Sequence, residues 1–333
     1  MNILITGVSG FIGHALWDYF KTRDLQAYGV DVQLRRSSPF LFACDLSDPI
    51  KLKKILVRVK PDFIFHLAGG RPQDEDLLWQ ANFIPTKRLL DVIGQIKSIH
   101  PCIVIPGSAA EYGKIKMPQK LVDEKVQPQP LAWYGFVKHM QTGLGLMHAA
   151  KGVDVRIARI FNIGGYGTPA TLALGNFAQK IVQIEKGMTP LLRVGSLSGR
   201  RDFLDIEDVC SALWAIARRG RRGQVYNVCS GQSLNMRQLL DKLIRYSEVK
   251  NIAVIELPLN KHNFKSPTSV KELQGRFEVG KGKLNKEDKK PTATTFDIAG
   301  SNAKIKQLTG WRPRIGMEES LKNTLRYYRE KQI

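Results

Sequence analysis

A short apolar run, Ile3-Leu4-Ile5, stops at Thr6 and runs into Gly7-Val-Ser-Gly10-Phe-Ile-Gly13. A strand feeding a helix through such a turn constrains the fold more than any other stretch of the chain. The first glycine permits the tight turn, the second lets backbone amides approach a phosphate, and the third lets helix pack on strand. The spacing is G-x-x-G-x-x-G, and a glycine triplet by itself is weak evidence. Context strengthens it, because Ile12, Leu16, Tyr19 and Phe20 follow with the spacing of one helix face. A diphosphate site at Gly7, Gly10, Phe11, Ile12 and Gly13 is the expectation.

With 333 residues, 43% of them hydrophobic, the chain can bury a sizeable core in one large or two medium domains. No apolar run approaches the roughly 20 residues of a membrane span. Met1-Asn2 leads straight into the first strand, so no signal peptide is expected. Cys44, Cys102, Cys210 and Cys229 lack metal-like spacing, which fits a reducing cytoplasm and no metal site. The net charge of +21 suits nucleic acid, an anionic membrane surface or an anionic small substrate. It peaks in 261–290, where nine Lys/Arg stand against four Asp/Glu.

Apolar runs predict strands at 26–32, 40–43, 62–67, 103–106 and 155–159, alternating with helices over 50–59, 76–97 and 134–150. That alternation predicts a parallel sheet with helices on both faces. Past residue 165 it weakens. Helices are expected over 172–187, 207–219, 235–247 and 317–330, with 224–228 returning to the sheet as a last strand. Residues 261–293, polar and Lys-rich, read as a basic loop or insertion. The division that follows is a dinucleotide-binding domain over 1–165 plus about 207–229, and a substrate domain over 166–206 and 230–333.

Asp31 lies 18 residues past Gly13 at the end of the second strand, where a carboxylate accepts from an adenosine ribose and repels a 2′-phosphate. That favours NAD, whereas Arg35 and Arg36 keep NADP open. Asp45 and Leu46 follow the third strand and face the adenine in this reading, although Asp45 equally suits a helix cap. Tyr134-Gly-Phe-Val-Lys138 places a phenol and an ammonium on one helix face. An ammonium there, with the positive nicotinamide, lowers the phenol pKa and lets it pass a proton near neutral pH. Ser108 stands at the carboxyl end of a strand, where parallel sheets bind ligands.

In order and spacing, Thr6–Gly13, His66-Leu67-Ala68-Gly69, Ser108 and Tyr134-x-x-x-Lys138 resemble the extended short-chain dehydrogenase/reductases. These are the epimerases, dehydratases and reductases of nucleotide sugars. The resemblance covers nearly the whole chain. It implies a Rossmann-type doubly wound α/β fold with a smaller C-terminal α/β substrate-binding domain. It also implies NAD(H) or NADP(H), contacted by Leu67, Ala68 and Gly69 as well. Ser108, Tyr134 and Lys138 become the catalytic residues. Arg159-Ile-Phe-Asn162 resembles a segment whose Asn meets the sugar nucleotide. Arg200-Arg201-Asp-Phe resembles one whose Arg binds the substrate diphosphate, and Lys290-Pro291 sits roughly where the family has another such Arg. Tyr226–Gly231 and Thr309–Pro313 match later landmarks.

The dehydratases of the family carry acidic residues just after the catalytic hydroxyl, in slots filled here by Ala109 and Ala110. Glu111, one step on, is expected to point elsewhere. Gly107-Ser-Ala-Ala-Glu-Tyr-Gly113 is most similar to the reductases of GDP-linked 4-keto-6-deoxymannose. The expected activity is therefore NAD(P)H-dependent reduction of a C4 ketone on a nucleotide sugar, with a 4-epimerase as the alternative. A non-catalytic dinucleotide-binding scaffold that binds RNA or another polyanion through the basic surface is the rival from another class, and a complete Ser108/Tyr134/Lys138 set weighs against it. Helices 76–97 and 134–150 resemble those of a family dimer interface, where Leu144, Leu146 and Met147 either pack or lie in the core.

Overall fold

The strand before the glycine-rich turn becomes an interior strand, third from one edge, of a seven-stranded sheet. The computed structural model describes residues 1–113, 115, 121–257 and 297–331. The basic segment 261–293, and with it Lys290, lies outside them. The first half alternates as β1 (Ile3–Thr6), α1 (Phe11–Lys21), β2 (Ala27–Asp31), β3 (Leu41–Ala43), α2 (Pro49–Val59), β4 (Phe63–His66), α3 (Glu75–Gly94), β5 (Cys102–Ser108), α4 (Trp133–Ala150) and β6 (Val155–Ile160). A 3-10 turn, Ala109–Glu111, follows β5. The second half adds β7 (Asn162–Gly164), α5 (Ala173–Glu185), β8 (Leu191–Val194), β9 (Arg200–Arg201), β10 (Phe203–Asp205), α6 (Ile206–Arg219), β11 (Val225–Val228), β12 (Leu234–Asn235), α7 (Met236–Arg245), β13 (Ala253–Glu256), α8 (Ala303–Thr309) and α9 (Met317–Glu330).

The sheet order is β3-β2-β1-β4-β5-β6-β11, and every pairing in it is parallel. The chain winds outward from β1 through β2 to β3, then crosses back by α2 to β4 on the other side of β1 and winds outward the opposite way. This opens a crevice at the carboxyl ends of β1 and β4. The expected Rossmann-type α/β fold is what forms. Its strands are buried on both faces, as a covered parallel sheet requires: β1 is enclosed throughout and apolar up to Thr6. One face packs Phe65, Val104 and Ala158 against Leu16 and Phe20 of α1 and Val209 and Leu213 of α6. The other packs Leu4, Ile64, Ile103 and Ile105 against α2, α3 and α4.

A third core holds Leu174, Phe177, Ile181, Leu240, Leu243, Leu321 and Tyr328, from α5, α7 and α9. Two-stranded pairings, β7 with β10, β9 with β12 and β8 with β13, surround this region. Ile305 and Trp311 pack into the core on the sheet, although the sequence division groups them with the second unit. The cap of α2 is Asp48, whose Oδ1 accepts from the amides of Ile50 and Lys51. Asp45 instead accepts from Ser47 two residues on.

Candidate active site

The glycines are fixed by close approach. Gly7 has φ +72°, and a Cβ there would lie 2.6 Å from the Ala68 amide nitrogen. A Cβ on Gly13 would stand 2.0 Å from the Gly7 carbonyl oxygen. At Gly10 such a carbon would meet only that same oxygen, at a tight 3.2 Å, with no other atom within 4 Å. Gly10 is the N-cap of α1, and no side chain caps that helix. A cradle a Cβ would partly fill, at an uncapped helix N-terminus, fits a dinucleotide diphosphate. Phe11 and Ile12 are half-buried in the first turn of α1.

Asp31 closes β2 over this turn. Its carboxylate accepts from the Ser9 and Gln33 amides, each at 2.9 Å, which holds it at the lip of the glycine loop. Leu67, Ala68 and Gly69 continue β4 across the crevice from Gly7. Asp45 is exposed at the end of β3, whereas the Leu46 side chain is 6% exposed and belongs to the core under α2 and α3. The side chain of Leu46 is thus a packing element.

Ser108 and Tyr134 meet because α4 lies close on the turn after β5. A Cβ on Gly135 would fall 2.4 Å from the Ala110 carbonyl oxygen, so only glycine allows that approach. Four influences bear on the half-buried phenol. Burial raises its pKa, the Arg71 guanidinium and a hydrogen bond with Ser108 lower it, the Glu111 charge raises it, and the net direction is upward. Arg71 lies 4.3 Å from the ring centroid. The sequence reading gave the lowering to Lys138. In the structure the cation acting on the phenol is Arg71, from the loop after β4, and Lys138 is turned to the Gln141 carbonyl. Burial brings Lys138 down to about 8, with Glu111 opposing.

Glu111 was expected to point elsewhere; it turns into the core at the start of the turn, but stays close enough for its charge to act on Tyr134 and Lys138. It is fully buried, its Oε1 accepts from the Ser108 amide at 2.7 Å, and its Oε2 accepts from Arg159 at 2.8 Å. Burial pushes this carboxyl up, but His139, Arg159 and the Ser108 amide together hold it below the usual range. Its work is to fix the strand end that carries Ser108.

The other landmarks divide between site and scaffold. Asn162 is half-buried and donates its side-chain amide to the Asp202 carbonyl at 2.9 Å. Arg201 is half-buried on β9 and donates to the Arg200 carbonyl, with Asp297 as a nearby opposite charge. Asp202 beside it is fully buried and gathers the amides of Ser230, Gly231 and Gly300 on one carboxylate. Asp208 likewise accepts from the Arg314 and Ile315 amides. Tyr112, whose hydroxyl donates to Asn227, and Asn227, which donates to the Val122 carbonyl, fasten the Tyr226–Gly231 stretch. These motif residues hold segments together.

Sheet order, glycine turn and the Ser108–Tyr134 contact at the carboxyl edge define an enzyme built to bring a nicotinamide dinucleotide to a second ligand. Residues 3–229 match the NAD dependent epimerase/dehydratase family, and the chain belongs to it. Among curated relatives, GDP-6-deoxy-D-mannose reductase of Pseudomonas aeruginosa is 28% identical over 97% of this chain and 96% of its own. GDP-6-deoxy-D-talose 4-dehydrogenase of Aggregatibacter actinomycetemcomitans is 26% identical over 74% of this chain and 80% of its own. The solved structure of RMD from Pseudomonas aeruginosa complexed with NADPH superposes with TM-score 0.79, at 26% identity, covering 99% of each chain.

Proposed function

We propose that the chain reduces the C4 ketone of a nucleotide-linked 4-keto-6-deoxyhexose. The ketone we favour is GDP-4-keto-6-deoxy-D-mannose, giving GDP-6-deoxy-D-mannose (GDP-D-rhamnose). The observation that carries this reading is the turn after Ser108. Elimination of water needs a free acid or base beside the hydroxyl, and the turn offers Ala109, Ala110 and a Glu111 committed to Arg159. What remains beside Ser108 is a phenol, which suits proton delivery to a forming alkoxide. Likeness to the P. aeruginosa reductase over nearly the full chain supports the same reading.

NADH or NADPH, held by Gly7–Gly13 with Asp31 at the adenosine ribose, supplies the hydride that reduction consumes. Tyr134 gives its phenolic proton to the C4 oxygen, and Ser108 hydrogen-bonds that oxygen. Lys138 holds the nicotinamide ribose. Arg201 meets the substrate diphosphate and Asn162 the sugar or its linkage. The basic surface attracts the doubly anionic substrate in preference to nucleic acid.

Among the described residues no helix is long and apolar enough to cross a membrane. A cytoplasmic homodimer is part of the proposal. Trp133, Phe136, Met140 and Met147 are exposed on α4 and suit a second copy, whereas Leu144 is buried. The division into a dinucleotide domain and a sugar-nucleotide domain is part of it too, with 303–311 joined to the first.

A coupled assay tests the reading. A 4,6-dehydratase generates GDP-4-keto-6-deoxymannose in situ while NADH and NADPH absorbance are followed in parallel. Oxidation supports the reductase. Absence of oxidation, with NAD retained tightly through purification, transfers the reading to a 4-epimerase.

A further inference from the structure

Between the catalytic helix and the glycine-rich turn runs a row of buried polar side chains that the proposed reaction leaves without a role. Thr6 ends β1, His66 ends β4, Thr86 sits in α3 and Gln141 in α4, and all four are buried. His66 Nδ1 lies 2.8 Å from Thr6 Oγ1, and its Nε2 lies 2.9 Å from Thr86 Oγ1. Thr86 donates its hydroxyl proton to the Asn82 carbonyl at 2.7 Å, so toward His66 it accepts. The ring proton is therefore on Nε2, and Nδ1 accepts from Thr6. Gln141 Nε2 donates to Thr86 Oγ1 at 2.6 Å and to the Asn82 carbonyl at 3.3 Å. With its nitrogen so anchored, the amide presents Oε1 to the Lys138 ammonium, which donates to it. The donor and acceptor pattern of the row has a single solution. Burial, reinforced by the Lys138 charge, brings His66 down to about 3, so it is neutral.

We infer that Gln141 is a positioning residue for Lys138, aiming the ammonium through a buried row anchored on Thr86, His66 and Thr6 next to the diphosphate turn. An ammonium has three N–H donors. One is committed to Gln141, which leaves two for a vicinal diol such as the ribose of the nicotinamide. A carbonyl acceptor in this buried place also favours the charged form of the lysine. The row cannot relay protons, because the Gln141 amide transmits none. Its output is the direction and charge state of Lys138. Two titratable groups act on that lysine directly, Glu111 of the 3-10 turn and His66 of β4; Arg159 of β6 and His139 of α4 reach it only through their pairing with Glu111, and Arg71 lies against Tyr134. From α3 come only the uncharged Asn82 and Thr86. Glu111 pulls the lysine toward charge, but its carboxylate is already shared with Arg159 and Ser108.

The inference rests on the reading that Lys138 holds the nicotinamide ribose, and the test is arranged so that the two can fail separately. Lys138 is titrated by NMR in full-length protein labelled with ε-¹³C-lysine, without cofactor, and Lys138→Arg identifies its resonance. Wild type titrates near 8. Gln141→Met, close in shape but without the acceptor, shifts the titration downward. Gln141→Glu shifts it upward. Thr86→Val frees the Gln141 amide to rotate and shifts it in the Met direction by less. NADPH affinity at neutral pH, read by fluorescence, falls in Gln141→Met, because a lysine with a lowered pKa is charged in a smaller fraction of the molecules. Opposite shifts for Met and Glu support the role. Unchanged titration, or shifts of one sign in both, overturns it, since a merely structural residue has no reason to separate them. If wild type fails to oxidise NADPH with the GDP-linked ketone, the substrate reading falls while the paired shifts still decide this one.

Discussion

Replacing Glu111 by Gln removes one charge from a pair in which Glu111 is fully buried and Arg159 only 3% exposed. The guanidinium then lies in the interior without its counter-charge, and its Nε already lacks a hydrogen-bond partner. Breaking a buried pair from one side costs about 3–5 kcal/mol. Unfolding entropy for 333 residues, at roughly 2.1 cal/mol/K each, is about 0.7 kcal/mol/K. A loss of about 3 kcal/mol therefore lowers Tm by about 4 °C. Glu111→Gln should show that drop by calorimetry, together with a urea midpoint moved by the same free energy. Pairing it with Arg159→Met should recover much of the loss, because a neutral interior replaces an unbalanced one. The pH dependence has a definite sign. The folded pKa of Glu111 lies below its ordinary value, so its contribution is present above the unfolded pKa of about 4.3 and is lost as pH falls through the folded one. A Gln variant with unchanged Tm but turnover reduced roughly a thousandfold, the size of an acid–base effect, would refute the assignment. Glu111 would then be moving a proton.

Three further outcomes follow from the site. Tyr134→Phe should lower turnover by roughly 10²–10⁴ while leaving NAD(P)H affinity nearly unchanged, as measured by steady-state kinetics beside fluorescence titration. Gly13→Ala should destabilise the fold, since its Cβ would lie 2.0 Å from the Gly7 carbonyl oxygen. Gly10→Ala, with 3.2 Å to the same atom, should lower Tm less than Gly13→Ala does and lose cofactor affinity. NAD(P)H affinity should be highest below the Lys138 pKa of about 8 and fall as pH rises through it, because the ribose is held by the charged form. A flat profile across that range would remove Lys138 from the cofactor site.

What could be read from the sequence was what is local. The turn at Gly7–Gly13 follows its strand directly, and Tyr134 and Lys138 are one helical turn apart, so spacing alone carries both. The cap of α2 was equally accessible. Asp48 followed by Pro49 is an N-cap before an N1 proline, a stronger signal than Asp45. The Glu111–Arg159 pair spans 48 residues and the Asp202–Gly300 contact 98, and neither spacing leaves a pattern. Strands β7, β9, β10 and β12 have only two or three residues each, too short for a period to register. Helix α8, seven residues long, has the same problem. Arg71 reaches Tyr134 from a different loop. Thr86 and Gln141 did leave a trace, as polar residues on the inward faces of α3 and α4.

The order in which the sheet is covered has a consequence during synthesis. Residues up to 160 contain six of the seven strands together with α2, α3 and α4, which cover one face. On the opposite face α1 is ready early, but Ile206–Ala217 of α6 come some 50 residues after β6 and Ile305 and Trp311 later still. A nascent chain emerging from the ribosome therefore pairs its strands while Val104, Ala158 and Ile160 still face water. That half-clad sheet is the species a chaperone would meet, and a ribosome pause placed between β6 and α6 would prolong its exposure.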